Sequence, residues 1–381
     1  MAMITYIRED ADKKLSELKS KNIPVYSVSK LDTYNTCKYK YYKTYSKEKE
    51  EQTENIYSIL GGKVHSLIEK QFISKRSGDN EEIDFRKEIL HELNEAELKG
   101  YSFSSEKVKE KWIYDIVHFC NNSEFYKMNI IENELHFLLD FDGLWLQGYI
   151  DAIVDNGDNT VSVIDWKTSS AFKSSDIDKK ARQLLLYKIA LEEAGTTVSH
   201  VYWDMLKYVD ISWVNKSKKT YHKICERSEI LDKMHQEFLK FLSENGYNLD
   251  EIENMFSSCR TMNTLDFFPK YLRDKYQIND WLLEYDTNIN KENEFLSYID
   301  DTVYEIESNI NNKSFWVPEE ITEKNSFFCN MLCDVSKSCE AFRKYQEGFN
   351  NFQKLEDSFL KNLFGLLLIF YYFYDIIIKK E

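Results

Sequence analysis

The stretch GYIDAIVDNGDNTVSVIDWKTSS, residues 148–170, places acidic residues inside two runs that are apolar enough to form buried β-strands. The DNGDN segment between them is rich in residues that tolerate positive φ, so it predicts the turn of a β-hairpin. If the hairpin is symmetric about Asp158, Asp151 and Asp165 lie opposite each other, about 5 Å apart at Cβ. A register shift of one residue would separate them.

Alternation along the second strand puts Asp165 and Lys167 on one face, and Ile164 and Trp166 on the other. Two carboxylates brought together repel each other, and a divalent cation removes that penalty. Oxygen ligands of this kind favour Mg²⁺ or Mn²⁺. The alternative is a solvent-exposed hairpin with an ordinary Asp–Lys ion pair, and the hairpin alone leaves both interpretations open.

The hairpin and two further segments of the sequence together resemble one protein family. The hairpin resembles motifs II and III of the PD-(D/E)XK nucleases, in which an Asp and a later Asp-x-Lys form a metal-dependent centre. GGKVHSLIEK, residues 61–70, is similar to the earlier helix of the RecB-like branch, and ARQLLLYKIAL, residues 181–191, is similar to its later Gln-x-x-x-Tyr helix. The resemblance implies a restriction-endonuclease-like α/β fold, with a mixed central sheet flanked by helices. Outside the resemblance, the charged and helix-patterned residues that follow the core predict a large helical insertion.

The same resemblance implies the ligands of a metal ion. They are the side chains of His65, Asp151 and Asp165, joined by the backbone carbonyl of Trp166. An isolated histidine is more often a core residue, and only its place in the ordered motif set favours metal binding here.

The resemblance also implies catalytic roles. Lys167 orients the attacking water or helps to deprotonate it. Gln183 and Tyr187 lie four residues apart on one helical face, where they position the scissile strand or support Lys167. The implied enzyme is an Mg²⁺- or Mn²⁺-dependent deoxyribonuclease, an exonuclease rather than an endonuclease. It would act on single-stranded DNA or DNA ends in recombination, repair, replication or phage DNA processing.

Four of the seven cysteines form a second candidate site. FFCNMLCDVSKSCEAF, residues 327–342, supplies Cys329, Cys333 and Cys339, and Cys37 is the fourth candidate. Clustered cysteines in a chain without a secretory signal indicate metal binding. Their spacing alone does not choose between zinc and an iron–sulfur cluster.

A resemblance around Cys37 favours an iron–sulfur cluster over zinc. SVSKLDTYNTCKYKYY, residues 27–42, is similar to the first-cysteine helix of a RecB-like subgroup that holds a [4Fe-4S] cluster. The subgroup includes AddB-type helicase–nuclease subunits and CRISPR-adaptation nucleases. Lys38 stands where the subgroup usually has Pro, and three residues rather than two separate Cys329 from Cys333. The resemblance implies that the cluster joins the N- and C-terminal regions, with zinc as the alternative occupant.

Aromatic and basic residues alternate around the first of these cysteines. Tyr34, Lys38, Tyr41 and Lys43 are candidate DNA contacts, because bases stack on rings while lysines meet phosphates. The alternative is an amphipathic helix whose tyrosines simply pack in the core.

The charge and composition of the sequence limit which binding partners, cofactors and cellular locations are expected. A net charge of −15 argues against coating nucleic acid through overall electrostatics, although it does not exclude a basic groove. The sequence contains no G-x-x-x-x-G-K-[ST] motif, so it predicts no ATP site. The charged N-terminus predicts a cytoplasmic protein. The apolar run at residues 363–374 is shorter than the roughly 20 residues that span a bilayer, which makes membrane insertion the weaker interpretation.

These patterns predict five regions. They are an N-terminal helical region at 1–55 with the first cluster cysteine, a nuclease core at 56–210, a helical insertion at 211–318, an iron–sulfur region at 319–345, and an apolar helix or tail at 346–381. Expected partners are DNA, a helicase or other DNA-processing protein, and a second copy of the chain. The alternatives to a free nuclease are a non-catalytic DNA-binding or scaffold subunit of a helicase–nuclease complex and an accessory nuclease of CRISPR adaptation.

Overall fold

The computed structural model describes residues 3–46, 54–78, 83–123, 127–262 and 264–348. The chain divides into two compact units, one formed by Met1–Leu31 with Ile56–Glu305 and the other by Asp32–Asn55 with Ile306–Glu381. The predicted apolar segment at 346–381 lies outside the described residues from 349 onward. None of the described helices is both long and apolar enough to cross a membrane.

A mixed eight-stranded sheet forms the centre of the first unit. Its strands are β1 (Met3–Ile7), β2 (Val25–Tyr26), β3 (Ile130–Phe141), β4 (Leu144–Asp155), β5 (Val161–Lys167), β6 (Val198–Val214), β7 (Thr220–Glu226) and β8 (Gln277–Glu284). The main path runs β1-β3-β4-β5-β6-β7, while β2 pairs with β4 and β8 with β6. The β2–β4 and β5–β6 pairs are parallel and the others antiparallel.

The described α-helices are distributed over both units. They are α1 (Glu9–Ser20), α2 (Val28–Thr36), α3 (Lys38–Tyr45), α4 (Ile56–Ser77), α5 (Phe85–Leu98), α6 (Glu106–Asn122), α7 (Ile177–Glu193), α8 (Ile230–Glu244), α9 (Leu249–Met262), α10 (Lys270–Lys275) and α11 (Ile289–Asn309). The predicted fold class, a mixed central sheet flanked by helices, is confirmed.

The core of the first unit explains which strand residues point away from the candidate site. Helices α4, α5 and α6 bury one cluster of apolar side chains that includes Ile164 and Trp166 of β5. The Trp166 ring stacks on Phe72 of α4, with centroids 6.2 Å apart. The predicted alternation along β5 is therefore correct, because these two residues anchor the strand and leave Asp165 and Lys167 on the other side.

The hairpin register is the one that symmetry about Asp158 predicts. Ala152 pairs with Ile164 and Asp155 with Val161. Gly157 and Asn159 have φ of 78° and 68°, which is the left-handed conformation that the turn composition favours. Asp151 and Asp165 are the next residues on the two strands, one position beyond the last pair of this ladder.

Two regions that the sequence predicts as helical also contain strands. Within 211–318, strands β7 and β8 pair with β6. Within 1–55, strands β1 and β2 pair with β3 and β4. The prediction of a helical region and a helical insertion is wrong at these strands. Their partly exposed polar residues obscure the alternation that marks a half-buried strand. The domain boundaries themselves stay a prediction.

Candidate active site

Two buried carboxylates lie where β4 and β5 leave their shared ladder. Asp151 and Asp165 are both buried. Asp151 Oδ2 accepts a hydrogen bond from the backbone N–H of Trp166 at 2.8 Å, which ties the two strands together at this point. The hairpin therefore delivers both acids to one place, as the sequence predicts.

Helix α4 adds an imidazole to these acids. A Cβ on Gly61 would lie 3.2 Å from Thr168 Oγ1, so glycine allows the helix to approach the end of β5 closely. His65 lies one turn later on the same face of α4, and its Nδ1 is 3.5 Å from Asp151 Oδ2. The histidine predicted as a metal ligand is thus brought to the carboxylates.

The structure adds Glu134, which sequence reasoning missed. Its Oε1 lies 3.9 Å from His65 Nδ1. One ligand atom from each of His65, Glu134 and Asp151 falls within 4.8 Å of the others. Glu134 has a φ of 48°, a strained conformation for a residue other than glycine, and such strain is often retained at functional sites. The available signal was an acid within an apolar strand that pairs with the strand of Asp151.

The donor set fits a hard divalent cation. Burial and the neighbouring Asp165 raise the pKa of Asp151 to about 7. Burial opposes protonation of His65, but the neighbouring Glu134 and the two aspartates raise its pKa overall. Asp165 Oδ2 is buried, and its one close partner among the described residues is the Lys167 ammonium. The site therefore has excess negative potential that a cation would neutralise. The proposed role of the Trp166 carbonyl stays a prediction.

A chain of polar contacts leads from these acids to α7. Lys167 Nζ lies 2.5 Å from Asp165 Oδ2 and donates to Gln183 Oε1 at 3.2 Å. Gln183 Nε2 in turn donates to the Tyr187 hydroxyl. Tyr187 is only 2% exposed, so its ring is not available to a substrate. Of the two roles expected for the Gln183–Tyr187 pair, these contacts favour support of Lys167.

A pocket of about 380 Å³ opens beside Asp151. Strand β4 pairs with β2 at residues 145–146 and with β5 at residues 152–155, and the pocket lies between these two ladders. Its wall contains residues 147–149 and Asp151 of β4, Gln183 and Tyr187 of α7, and residues 27–29 at the start of α2. Asp151 thus faces a cavity bordered by an open strand edge.

Gly148 is required for this pocket wall. A Cβ there would lie 2.7 Å from two Phe137 ring atoms and 3.3 Å from the Tyr187 ring. We expect Gly148→Ala to lower the free energy of unfolding by about 1–3 kcal/mol through overpacking, and to reduce activity by displacing Tyr187. Chemical denaturation measures the first effect.

Gly62→Ala is the matched control, since a Cβ at Gly62 of α4 meets no atom within 4 Å. It should be neutral or stabilise the helix by up to about 1 kcal/mol. An equal effect of the two substitutions would contradict the packing account of Gly148.

In the second unit, the predicted cysteine set converges. Cys37, Cys329, Cys333 and Cys339 line one cavity of about 240 Å³. Burial raises the pKa of Cys333 to about 11, and it also raises the pKa values of Cys37 and Cys329. Thiols in this environment ionise readily only when a bound cation compensates the charge. The geometry brings together residues almost three hundred positions apart, while the occupant stays a prediction.

The predicted aromatic contacts to DNA do not fit the structure for the two tyrosines. Tyr34 and Tyr41 are 1% and 4% exposed. Both rings pack against Trp316, at centroid distances of 6.0 and 5.8 Å. The interpretation that these tyrosines pack in the core is the better one. Lys38 and Lys43 are partly exposed and stay candidate phosphate contacts.

Comparison with known proteins agrees with this geometry. No curated protein matches the chain. A family model of the PD-(D/E)XK nuclease superfamily matches residues 25–339, which include the hairpin, α4, α7 and the four cysteines. Nucleases of this superfamily use divalent metal ions, in agreement with the grouping of His65, Glu134 and Asp151. The chain therefore belongs to the PD-(D/E)XK nuclease superfamily.

Proposed function

We propose that this protein is a RecB-like, metal-dependent deoxyribonuclease that degrades DNA from ends and prefers single strands. The observation that carries the proposal is the contact chain from Asp165 through Lys167 to Gln183, beside the metal-ligand group of His65, Glu134 and Asp151. A non-catalytic descendant would have no need to keep this charged set buried, since an uncompensated buried charge is costly.

The residues that would hold the cation are His65, Glu134, Asp151 and Asp165. When bound, a divalent cation lowers the pKa of water, anchors the phosphate and stabilises the charge that builds on it. Asp151 is held in place by the N–H of Trp166. The α4 helix holds His65 against the Trp166 ring, with centroids 6.1 Å apart. The protein thus presents its ligands in a fixed arrangement.

Lys167 is the proposed catalytic residue. Its ammonium lies between Asp165 and Gln183, at the border of the buried acids. There it orients the attacking water and offsets negative charge on the phosphate as the P–O bond to the leaving oxygen breaks. Gln183 and Tyr187 are positioning residues, because they reach the reaction only through Lys167.

The proposed preference for single strands and ends rests on access. Asp151 is buried and is reached through the pocket of about 380 Å³ beside β4. A base-paired duplex is rigid and wide, and it presents its phosphates on a convex surface. A single strand or a frayed end can enter the pocket far more easily.

Linear and circular single-stranded DNA of the same sequence test this mode of action. With Mn²⁺ we expect the linear form to be degraded and the closed circle to resist, because an exonuclease needs an end. Gel electrophoresis measures both rates. Equal cleavage of the circle would disprove the exonuclease assignment while leaving the nuclease activity intact.

The cysteine cavity is proposed to hold a [4Fe-4S] cluster with a structural role. Four thiolates can bind such a cluster, and its loss would free two distant chain segments. Anaerobically purified protein should be brown, with broad absorption near about 400 nm and about four iron atoms per chain. Cys37→Ala should lose both the colour and thermal stability.

Cys225→Ala serves as the control for this prediction, since Cys225 is a buried core residue of β7 outside the cavity. It should keep the iron and the absorption band. A colourless wild-type protein with stoichiometric zinc would instead identify the alternative occupant.

A further inference from the structure

An exposed aromatic ring stands at the pocket beside the proposed catalytic centre. Tyr149 lies two residues before Asp151 on β4 and lines the same cavity as Asp151 and Gln183. Tyr149 is 50% exposed to solvent. Single exposed aromatics are common and carry no meaning by themselves, so the surroundings of this ring decide the question.

The ring of Tyr149 is backed by a second ring. His136, its cross-strand partner on β3, stacks on it with centroids 4.6 Å apart and planes 14° apart. His136 is buried, and its Nδ1 lies 2.7 Å from Asp12 Oδ1 on α1. One face of the tyrosine is therefore covered by a fixed imidazole, which orients the ring, while half of the residue's surface stays exposed.

Such an arrangement suits a nucleobase. Every base has a π-face that stacks on an aromatic side chain, so contacts of this kind are tolerant of sequence. In a duplex both faces of each base are already stacked on neighbours, whereas an unpaired base offers a free face. An oriented ring beside a phosphodiesterase centre thus distinguishes single strands from duplexes.

We propose that Tyr149 is a stacking platform for the base of a nucleotide next to the cleaved bond, and that it sets the preference for single-stranded DNA. This inference rests on the proposed function, which supplies the DNA substrate. Tyr149 does not touch the reacting atoms, so it is a positioning residue. The platform acts on binding of the strand rather than on the chemical step.

The test measures binding of a fluorescein-labelled single-stranded oligonucleotide by anisotropy, with Lys167→Ala as the background to prevent cleavage. Adding Tyr149→Ala should raise Kd about 10-fold, whereas Tyr149→Phe should stay within about twofold because the ring remains. The Kd for duplex DNA should change little. In the cleavage-competent protein, Tyr149→Ala should raise KM much more than it lowers kcat.

Tyr221 offers a matched control on β7. It is 40% exposed and stacks on Trp213 with centroids 5.7 Å apart, but it does not line this pocket. Tyr221→Ala should leave Kd for the single strand and the cleavage rate unchanged. A loss equal to that of Tyr149→Ala would show that any exposed tyrosine has this effect, and would overturn the proposal.

Oligonucleotides that each carry one abasic site locate the partner base. An abasic site at one position should raise the Kd of the protein that retains Tyr149 by about the same 10-fold factor. The same oligonucleotide should not raise the Kd of the Tyr149→Ala variant any further. The platform is disproved if Tyr149→Ala binds like its parent, if the abasic loss persists in the variant, or if duplex binding falls equally.

The outcomes also separate this inference from the proposed function. A Tyr149-dependent loss of binding in a protein that cleaves no DNA would retain the platform and reject the nuclease activity. Cleavage that is indifferent to Tyr149 would retain the nuclease and reject the platform. A protein that neither binds nor cleaves DNA would reject both.

Discussion

Lys167→Ala is expected to lower the rate of phosphodiester cleavage by about 10³-fold or more, with DNA binding nearly intact. The physical reason is that the ammonium is the only basic side chain in the described contact chain between Asp165 and Gln183. General acid–base and electrostatic contributions of one positioned group are each about 10²–10⁴-fold. Cleavage of end-labelled DNA and anisotropy on the same preparations measure the two effects.

The control for this substitution is Lys179→Ala. Lys179 is an exposed residue of α7, the helix that carries Gln183. Its removal should leave cleavage within about twofold of wild type, as is usual for surface changes. Thermal unfolding of both variants should show that the fold is retained. Full activity of folded Lys167→Ala would remove the residue from the mechanism.

Asp151→Asn is expected to retain or raise the stability of the metal-free protein while it lowers the rate of DNA cleavage. Burial and Asp165 raise the pKa of Asp151 to about 7 from an ordinary value of 3.8. Because the folded state binds the proton more tightly than the unfolded state, stability is lost as pH rises between these two values. Above pH 7 the wild type carries the full penalty, whereas asparagine is neutral and can still accept the hydrogen bond from Trp166.

Without metal, at about pH 8, the Asp151→Asn variant should therefore unfold at a temperature equal to or higher than that of wild type. Mn²⁺ should raise the melting temperature of wild type but not of the variant, because a ligand that binds only the folded state stabilises it. Cleavage should fall by at least about 10²-fold, since the cation has lost a ligand. Differential scanning fluorimetry with and without Mn²⁺ measures the thermal part.

Asp142→Asn is the matched control, because Asp142 is an exposed residue in the turn between β3 and β4. It should keep both the cleavage activity and the stabilisation by Mn²⁺. If Asp151→Asn were stabilised by Mn²⁺ as strongly as wild type, Asp151 would not be a metal ligand.

The hairpin was predictable because its information is local. The DNGDN turn fixes the centre of symmetry, and the apolar runs on either side fix which residues are buried, so the pairing of Ala152 with Ile164 follows from the sequence. The α7 helix was predictable for the same reason, since Gly195, with a φ of 86°, follows closely after its last residue. Family resemblance then connected distant segments that local patterns leave independent.

The missed features depend on distant contacts. Glu134 joins the acids at a point of β3 where the backbone has a positive φ, which no short pattern encodes. Tyr34 and Tyr41 have the composition of a DNA contact, yet they pack on Trp316, more than 270 residues later in the chain. A helix that contacts DNA and a helix whose tyrosines pack in the core can show the same alternation of aromatic and basic residues. Only the fold reveals which side of the helix is covered.

The most direct test of the central claim is incubation of end-labelled single- and double-stranded DNA with Mn²⁺, beside EDTA and Lys167→Ala controls. We expect Mn²⁺ to support hydrolysis, fastest on the single strand, and both EDTA and Lys167→Ala to prevent it. Hydrolysis that continues in EDTA, or that proceeds at the wild-type rate in folded Lys167→Ala, would contradict the assignment of a metal-dependent centre built on the 148–170 hairpin.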